Sequence, residues 1–251
     1  MLYGLYLSAT GIITSSHKQD VVANNLANSE SVGFKRDVVS FRERLTEAQE
    51  RGRPGLSNRM LEFLGGGTLA SPNRVDTRQG DLEPTGNAMD VAIEGDGYFA
   101  VMDKGQSRLT RNGQFAVDRK GNLILSNGDG EAVLDPKGKP IRLIPNQPAA
   151  ISADGTITQA GQAVGRVGVF DVADQTQLLK QGGTLLSHTG QQLVPGTGSL
   201  RTEFVERANI DPATELADLM EAQRQLEANA NMIRYQDQTL GRLVNEVGKI
   251  G

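Results

Sequence analysis

The chain has 251 residues, enough for one or two domains, and a net charge of -4 with no basic run interleaved with aromatics, so there is no electrostatic case for nucleic acid. It contains no cysteine, which excludes disulfides, thiol catalysis and thiolate metal sites. Aromatic residues are only 4% while glycine is abundant at 30 residues, a balance that suits turns and assembly surfaces better than a deep ligand pocket.

The N-terminus lacks a basic region followed by a continuous apolar core, so no cleaved secretory signal is expected. No apolar run approaches the ~20 residues of a transmembrane helix, so no stable membrane insertion is expected. Leu5, Ala9, Ile12, Ser16, Gln19, Ala23 and Leu26 alternate at steps of four and three, and the spacing predicts a helix over 3–28. Gly4 and Gly11 each lower its intrinsic stability by roughly 1 kcal/mol relative to Ala. Such a helix is marginal alone and needs packing to persist. Asn24-Asn25-Leu26-Ala27-Asn28 should end it, because Asn competes for backbone hydrogen bonds. Gly33 then supplies a turn before Phe34-Lys35-Arg36.

Residues 36–80 read as an irregular connector. Arg42 to Arg53 is highly charged, Pro54-Gly55 breaks it, and Gly65-Gly66-Gly67 breaks the apolar patch from Met60 to Leu64. A connection this long is unusual in a compact domain.

From about residue 80 to residue 205 the pattern turns to β. Asp90–Glu94, Tyr98–Met102, Gln114–Val117, Asn122–Leu125, Ala132–Leu134, Ile141–Ile144, Ala150–Ser152 and Val167–Asp171 are expected strands. Between them lie Asp96-Gly97, Asn112-Gly113, Lys120-Gly121, Asn127-Gly128, Asp129-Gly130, Lys137-Gly138 and Asp154-Gly155. Asn-Gly and Asp-Gly favour turns that need positive φ. A second, looser β stretch runs from Thr184 to Phe204.

Asp211-Pro212 suits an N-cap and first helical position, and the helix it opens is expected to run to Val247. Leu219, Leu226, Ile233, Leu240 and Val247 recur every seven residues, with Ala222, Asn229, Gln236 and Leu243 between them. That 3.5-residue seam keeps one stripe facing a partner helix. At ~1.5 Å per residue the helix is roughly 55 Å long and does not bury itself. The fold class is therefore α+β: a discontinuous coiled-coil domain made from the two terminal helices, with an all-β domain inserted. Periodicity alone leaves open whether the helices pack on a globular core or pair with each other and with other subunits.

Chemistry finds no support. His17 lies in a predicted helix, and Ser187 beside His188 does not make a triad. No nucleophile elbow or phosphate-binding loop is present. Asn127-Gly128-Asp129-Gly130-Glu131 lacks the regular spacing of a calcium loop, and a tight hairpin explains it better. No catalytic residue, cofactor or metal is expected.

Three stretches carry a family resemblance. Asn24-Asn25-Leu26-Ala27-Asn28 with Gly33-Phe34-Lys35-Arg36 is similar to the N-terminal signature of bacterial flagellar basal-body rod proteins of the rod/hook axial family. Asp90-Val91-Ala92-Ile93-Glu94-Gly95-Asp96-Gly97-Tyr98-Phe99, with Thr110-Arg111-Asn112-Gly113-Gln114-Phe115, resembles the family's central β signature. Phe204-Val205-Glu206-Arg207-Ala208-Asn209-Ile210, with Gln223-Arg224, Glu227, Asn229 and Ile233, resembles its C-terminal one. Leu109 and Leu226 stand where the family usually has Tyr, and Ala208 where Ser is common.

The resemblance implies a structural subunit. Its terminal helices would pack side by side in many copies into the tube of the rod, which transmits motor torque across the periplasm. The β domain would face outward. The implied divisions are 1–35 for the N-terminal helix of the axial core, 36–80 for the connector, 81–205 for the outer domain and 206–251 for the C-terminal helix. Implied partners are other copies, other rod subunits and the flagellar type III export apparatus, with no signal cleaved. The compact length and the opening Met-Leu-Tyr-Gly-Leu-Tyr favour the proximal subunit, with the distal subunit as runner-up. The residues expected at the assembly interface are Leu5, Ile12, Ala23, Asn24, Asn25, Leu26 and Asn28 near the N-terminus, and Leu219, Ala222, Leu226, Asn229, Ile233, Leu240, Leu243 and Val247 near the C-terminus. A different class remains as the alternative: a secreted β-domain binding module on a coiled-coil oligomerisation stalk.

Overall fold

The computed structural model describes residues 2–43, 45, 67–145 and 147–247, and the side chains of all of these except 2, 3, 246 and 247. Two helices bracket a β-rich middle, an α+β arrangement: α1 spans Leu2–Ala27 and α2 spans Pro212–Val247. Helix α2 opens on Pro212, has Glu215 in its first turn, and meets no Gly or Pro before Gly241. Its Ala, Leu, Glu, Gln, Arg and Met content gives it strong intrinsic propensity. Helix α1 lacks that support, with no acidic residue in its first turn and no basic residue in its last.

The chain divides into two compact units. The first takes in α1 as far as Leu26, the stretch 38–73 and α2 from Pro212 onward; the second takes in 27–37 and 74–211.

Within 36–80, expected to be irregular, Asp37–Glu43 and Thr68–Val75 are strands that pair in a two-stranded ribbon. Val38, Val39 and Phe41 are β-branched or aromatic, and they explain why the first of these is extended. Residues 44 and 46–66, with Pro54-Gly55 and most of the charged run, lie outside the described residues. In the first unit this ribbon meets α1, where His17 Nε2 hydrogen-bonds Asn73 Oδ1 at 2.9 Å.

The second unit is built on a nine-stranded sheet whose described pairings are all antiparallel. Tyr98–Asp103 is its axis, pairing with Gln106–Thr110, Ala132–Val133 and Val169–Val172. Alternate residues of that strand serve different cores. Phe99 and Val101 join Phe115, Leu123 and Leu125 in one cluster, while Tyr98 and Ala100 join Leu109, Leu178 and Leu186 in the other. The period of two thus splits one strand between two buried layers. Phe99 and Phe115 meet edge to face, with ring centroids 5.1 Å apart.

Ala149–Ile151, Thr156–Gln159 and Gln162–Arg166 form a separate three-stranded sheet. Ile141–Ile144, expected as a strand, makes only one isolated bridge among the described residues, at Asn122–Arg142, with a second just before it at Leu134–Pro140. Pro140 and Pro145 flank it, and proline cannot donate to a ladder. Val91–Glu94 pairs with Ser199–Thr202, and Leu82–Pro84 with Phe204–Glu206. These two short ladders bring the chain just ahead of α2 against the start of the β region.

Candidate assembly surface

In the first unit the two helices meet at four mapped positions. A β-carbon on Gly4 would lie 2.7 Å from Gln236 Nε2, and one on Gly11 would lie 2.8 Å from Asn229 Nδ2. Lys18 Nζ sits 3.7 Å from Glu221 Oε2, and Asn25 Nδ2 donates to Glu215 Oε2 at 3.4 Å. As the α1 number climbs by seven, the α2 number falls by six to eight, so the helices run antiparallel. The two glycines leave no side chain at the contact, which lets an amide from α2 reach the α1 backbone.

These contacts fall one residue ahead of the expected stripe on α1. Gly4, Gly11, Lys18 and Asn25 make them, beside Leu5, Ile12, Gln19 and Leu26 of the apolar spacing, and of the four only Asn25 was among the expected interface residues. Leu5, Ile12, Leu26 and Asn28 are half-buried, Ala23 and Asn24 are exposed, and Asn25 is fully buried. On α2 the residues of the expected stripe differ in exposure. Ala222 is buried, and Leu219, Leu226, Asn229, Ile233 and Leu240 are half-buried. Leu243 is exposed, and the side chain of Val247 lies outside the described residues.

The four mapped contacts are glycine and polar, while among the described residues Val21, Val22 and Ala222 are the buried apolar side chains of the two helices, and several large apolar side chains remain open. Tyr6, Leu7 and Ile13 on α1, and Leu216, Met220, Met232, Tyr235, Leu243 and Val244 on α2, are all exposed. Fully burying one such side chain is worth about 1.5–3 kcal/mol, and a glycine brings none of that.

The second unit contains a cluster that was not expected from the sequence. Lys35, Arg111 and Glu206 are 2%, 3% and 1% exposed. Lys35 Nζ lies 2.6 Å from Glu206 Oε1, and Arg111 Nη1 lies 2.9 Å from Glu206 Oε2. Glu206 Oε1 also accepts from the Gly80 N–H at 2.9 Å. Lys35 donates to the Arg78 carbonyl at 2.6 Å, and Arg111 Nη2 donates to the Gly95 carbonyl at 2.7 Å. The Arg111 guanidinium stacks over the Tyr98 ring, 5.1 Å from its centroid. Burial pushes the Lys35 ammonium below its ordinary pKa, and the Glu206 carboxylate partly offsets this. Burial also pushes the Tyr98 hydroxyl up to about 12, against the pull of Arg111.

The same unit grips the segment that carries Lys35. Gly33 sits at φ +70° with its N–H on the Glu206 carbonyl at 2.7 Å. A β-carbon there would meet the Asn112 nitrogen at 2.2 Å, so only glycine fits. Lys180 Nζ lies 3.6 Å from the centre of the Phe34 ring, 2.6 Å from the Lys35 carbonyl and 2.9 Å from Asp37 Oδ2. Asn209 accepts from the Arg36 N–H at 2.7 Å and donates to the carbonyls of Asp76 and Arg78. Each of the three signature stretches supplies one member of the charge cluster. What the sequence hid was their meeting: Lys35 and Glu206 are 171 residues apart.

Among the described residues no group of three or more His, Cys, Asp or Glu could hold a metal ion. Open hollows of about 320 and 300 Å³ lie in the second unit, one beside Asp154, Arg166 and Gly196, the other beside Arg78, Asn209 and Asp211. Neither gathers residues for a recognisable reaction.

Comparison with known proteins gives the arrangement its context. Three family descriptions match in chain order: "Flagella basal body rod protein" over residues 5–35, "Flagellar hook protein FlgE/F/G D1 domain" over 92–159, and "Flagellar basal body rod FlgEFG protein C-terminal" over 201–246. The chain is 32% identical to the flagellar basal-body rod protein FlgG of Bacillus subtilis, across 98% of this chain and 99% of that one. It is 30% identical to FlgF of Caulobacter vibrioides, across 98% of each. It is 27% identical to FlgF of Mesorhizobium japonicum, across 97% of each. These proteins are structural rather than enzymatic, and the alternative of a binding module on a stalk gives way to a rod subunit. With matches along its whole length, the chain belongs to the flagellar basal-body rod protein family, whose members assemble with other rod subunits in the axial structure of the flagellum.

Proposed function

We propose that the chain polymerises through α1 and α2, packed as a discontinuous coiled-coil domain, into a helical tube that transmits motor torque. The observation that carries this reading is the distribution of side chains on the helix pair. Glycines and polar or charged side chains occupy the mapped contacts between the helices, while Ile13, Met232 and Tyr235 stand exposed. A helix pair of this kind is completed by neighbours, and head-to-tail contacts that do not close give an open filament. The residues of the expected interface, from Leu5 to Asn28 and from Leu219 to Val247, are proposed as the part of each subunit that neighbours cover.

The divisions proposed are 1–35 and 206–251 for the axial core, 36–80 for the connection and 81–205 for the outer part, although 27–35 and 206–211 pack in the second unit. Its compact middle and its opening Met-Leu-Tyr-Gly-Leu-Tyr support a place in the proximal rod. The marginal helix pair also suits passage through a type III export apparatus with no signal cleaved, because such helices can stay unfolded until they meet partners.

Ile233→Asp tests the reading. A charge placed in a desolvated helix contact is strongly unfavourable. The variant should fold its second unit, as seen by circular dichroism and trypsin resistance, yet fail to enter rods in the producing bacterium. Normal incorporation of Ile233→Asp would refute the role given to α2.

A further inference from the structure

Asn-Gly occurs twice in the chain, at Asn112-Gly113 and Asn127-Gly128, and the fold treats the two pairs differently. Both asparagines close the same local turn. Asn112 Oδ1 accepts from the Gln114 N–H at 3.0 Å, and Asn127 Oδ1 accepts from the Asp129 N–H at 3.2 Å. Beyond that turn they diverge. Asn112 is 5% exposed, its N–H donates to Thr110 Oγ1 at 3.0 Å, and the Gly113 carbonyl accepts from the Val91 N–H at 3.0 Å. A β-carbon on Gly113 would lie 1.7 Å from the Val91 carbonyl oxygen, so that stretch of backbone is boxed in. Asn127 and Gly128 are exposed, in the loop that joins Leu123–Leu125 to Ala132–Val133. Gly128 sits at φ +93°, and beyond its chain neighbours nothing lies within 4 Å of the place a β-carbon would take. The Asn127 amide nitrogen donates at 3.4 Å to Asp129 Oδ2 and to Glu131 Oε1 of the same loop.

We propose that Asn127-Gly128 is a site of spontaneous deamidation in the folded chain, and that burial spares Asn112-Gly113. The Gly128 nitrogen gives its proton to solvent hydroxide and bonds to Asn127 Cγ. The Cγ–Nδ2 bond breaks, and the leaving nitrogen takes a proton from water and departs as ammonia. Water then opens the five-membered imide. Breaking the bond from nitrogen to Cγ leaves an aspartate, and breaking the bond from nitrogen to the main-chain carbonyl carbon leaves an isoaspartate. Glycine suits the attacking position because no side chain stands in the way of its nitrogen. The hydrogen bond from the Asp129 N–H polarises the carbonyl under attack. Asn112 has the equivalent bond, so the difference lies in freedom to move. Ring closure needs the main-chain nitrogen to swing onto Cγ, which an open loop allows and a buried, hydrogen-bonded strand end does not. Either product places a further negative charge beside Asp129 and Glu131 and removes the donor that they share. The isoaspartyl form also lengthens the main chain between Ile124 and Ala132, which pair in register, and so loosens that pairing. None of this depends on the proposed polymerisation.

The two pairs serve as each other's control. Full-length protein is held in mildly alkaline buffer, folded or in guanidinium chloride, and then digested with trypsin under mildly acidic conditions, where imide formation is slow. Cleavage at Arg111, Arg119, Lys120 and Lys137 puts the pairs in separate peptides, 112–119 and 121–137. Mass spectrometry reads the replacement of an amide by a carboxylate and locates it by fragmentation. Isomerisation at Asp129-Gly130 passes through a similar ring but leaves the mass unchanged, so it does not interfere. Asn127 should convert at nearly the same rate folded and unfolded, giving two chromatographic forms of peptide 121–137. Asn112 should convert roughly a hundred-fold more slowly in the folded chain than in the unfolded one, the penalty that a misplacement of about 1 Å carries. Asn127→Gln should abolish the conversion in 121–137, because the longer side chain would need a larger ring. Equal rates at the two asparagines in the folded chain, or an Asn127 that converts only in guanidinium chloride, would overturn the proposal. Conversion located at Asn122 instead, or undiminished in the Asn127→Gln chain, would overturn it as well.

Discussion

Glu206 contacts two buried cations, Lys35 and Arg111, and that asymmetry fixes how the cluster responds to substitution. Glu206→Gln strands an ammonium and a guanidinium in the interior, and breaking a buried pair in this way costs about 3–5 kcal/mol. Lys35→Met leaves Arg111 and Glu206 as a balanced pair and removes a charge that burial already disfavours. Urea unfolding should therefore show a much larger loss for Glu206→Gln than for Lys35→Met; equal losses would contradict the arrangement. Tyr98 predicts the behaviour at high pH. Its hydroxyl is raised from an ordinary 10.0 to about 12 in the folded protein. The folded state thus favours the protonated form, a contribution fully present below pH ~10 and lost as pH rises from about 10 to about 12. At roughly 1.4 kcal/mol per pKa unit, the loss is on the order of 3 kcal/mol. The Tyr98→Phe chain should lose less stability across that interval than the parent. Lys35 acts in the opposite sense: with its folded pKa lowered, stability rises with pH up to its unfolded value near 10.5. Comparing the two chains cancels this.

The two helices differ in how openly their sequences announce their packing. Helix α2 runs for 36 residues, and on the stripe read from spacing Ala222 is buried, Leu219, Leu226, Asn229, Ile233 and Leu240 are half-buried and Leu243 is exposed. Helix α1 shows an apolar stripe at Leu5, Ile12 and Leu26, but its mapped contacts with α2 use Gly4, Gly11, Lys18 and Asn25. A search for hydrophobic period cannot see a seam made of glycine and polar residues, and so it lands one residue away. The β hairpins were legible where Asn-Gly or Asp-Gly marked a turn. They were not legible at Thr156–Gln159 and Gln162–Arg166, whose turn is Ala160-Gly161, with both residues at positive φ. The Gly11–Asn229 contact gives a test at this scale. Gly11→Ala gains about 1 kcal/mol of helix propensity but forces a β-carbon against Asn229. In an Asn229→Ala background the clash is gone, so the same substitution should stabilise the helix pair. Thermal unfolding of the four chains of this double-mutant cycle reads the coupling directly. Gly241→Ala meets no neighbour within 4 Å and should stabilise α2 without any such dependence. A destabilised Gly241→Ala chain would show that the end of α2 is not the open helix described.

At the level of the whole molecule, the sequence made the order of parts legible: helix, connection, β region, helix. The family was legible as well, because its signatures lie in contiguous stretches. The charge cluster was not, because contiguity hides a meeting between residue 35, residue 111 and residue 206. The cluster gives those stretches a physical reason to share one chain. Lys35 and Asn209 stand close to where α1 ends and α2 begins, and both are stitched into the second unit. Segments held in this way can carry load, as the proposed torque-bearing role requires. Helices α1 and α2 are the surface proposed to be covered by other subunits. Amide hydrogen exchange, measured on the dilute full-length chain and on assembled rods, tests this most directly. Exchange in 2–27 and 212–247 should be fast in the dilute chain and strongly slowed in rods, with the strands around Tyr98 equally protected in both. Helices already fully protected in the dilute chain, or unchanged on assembly, would contradict the account.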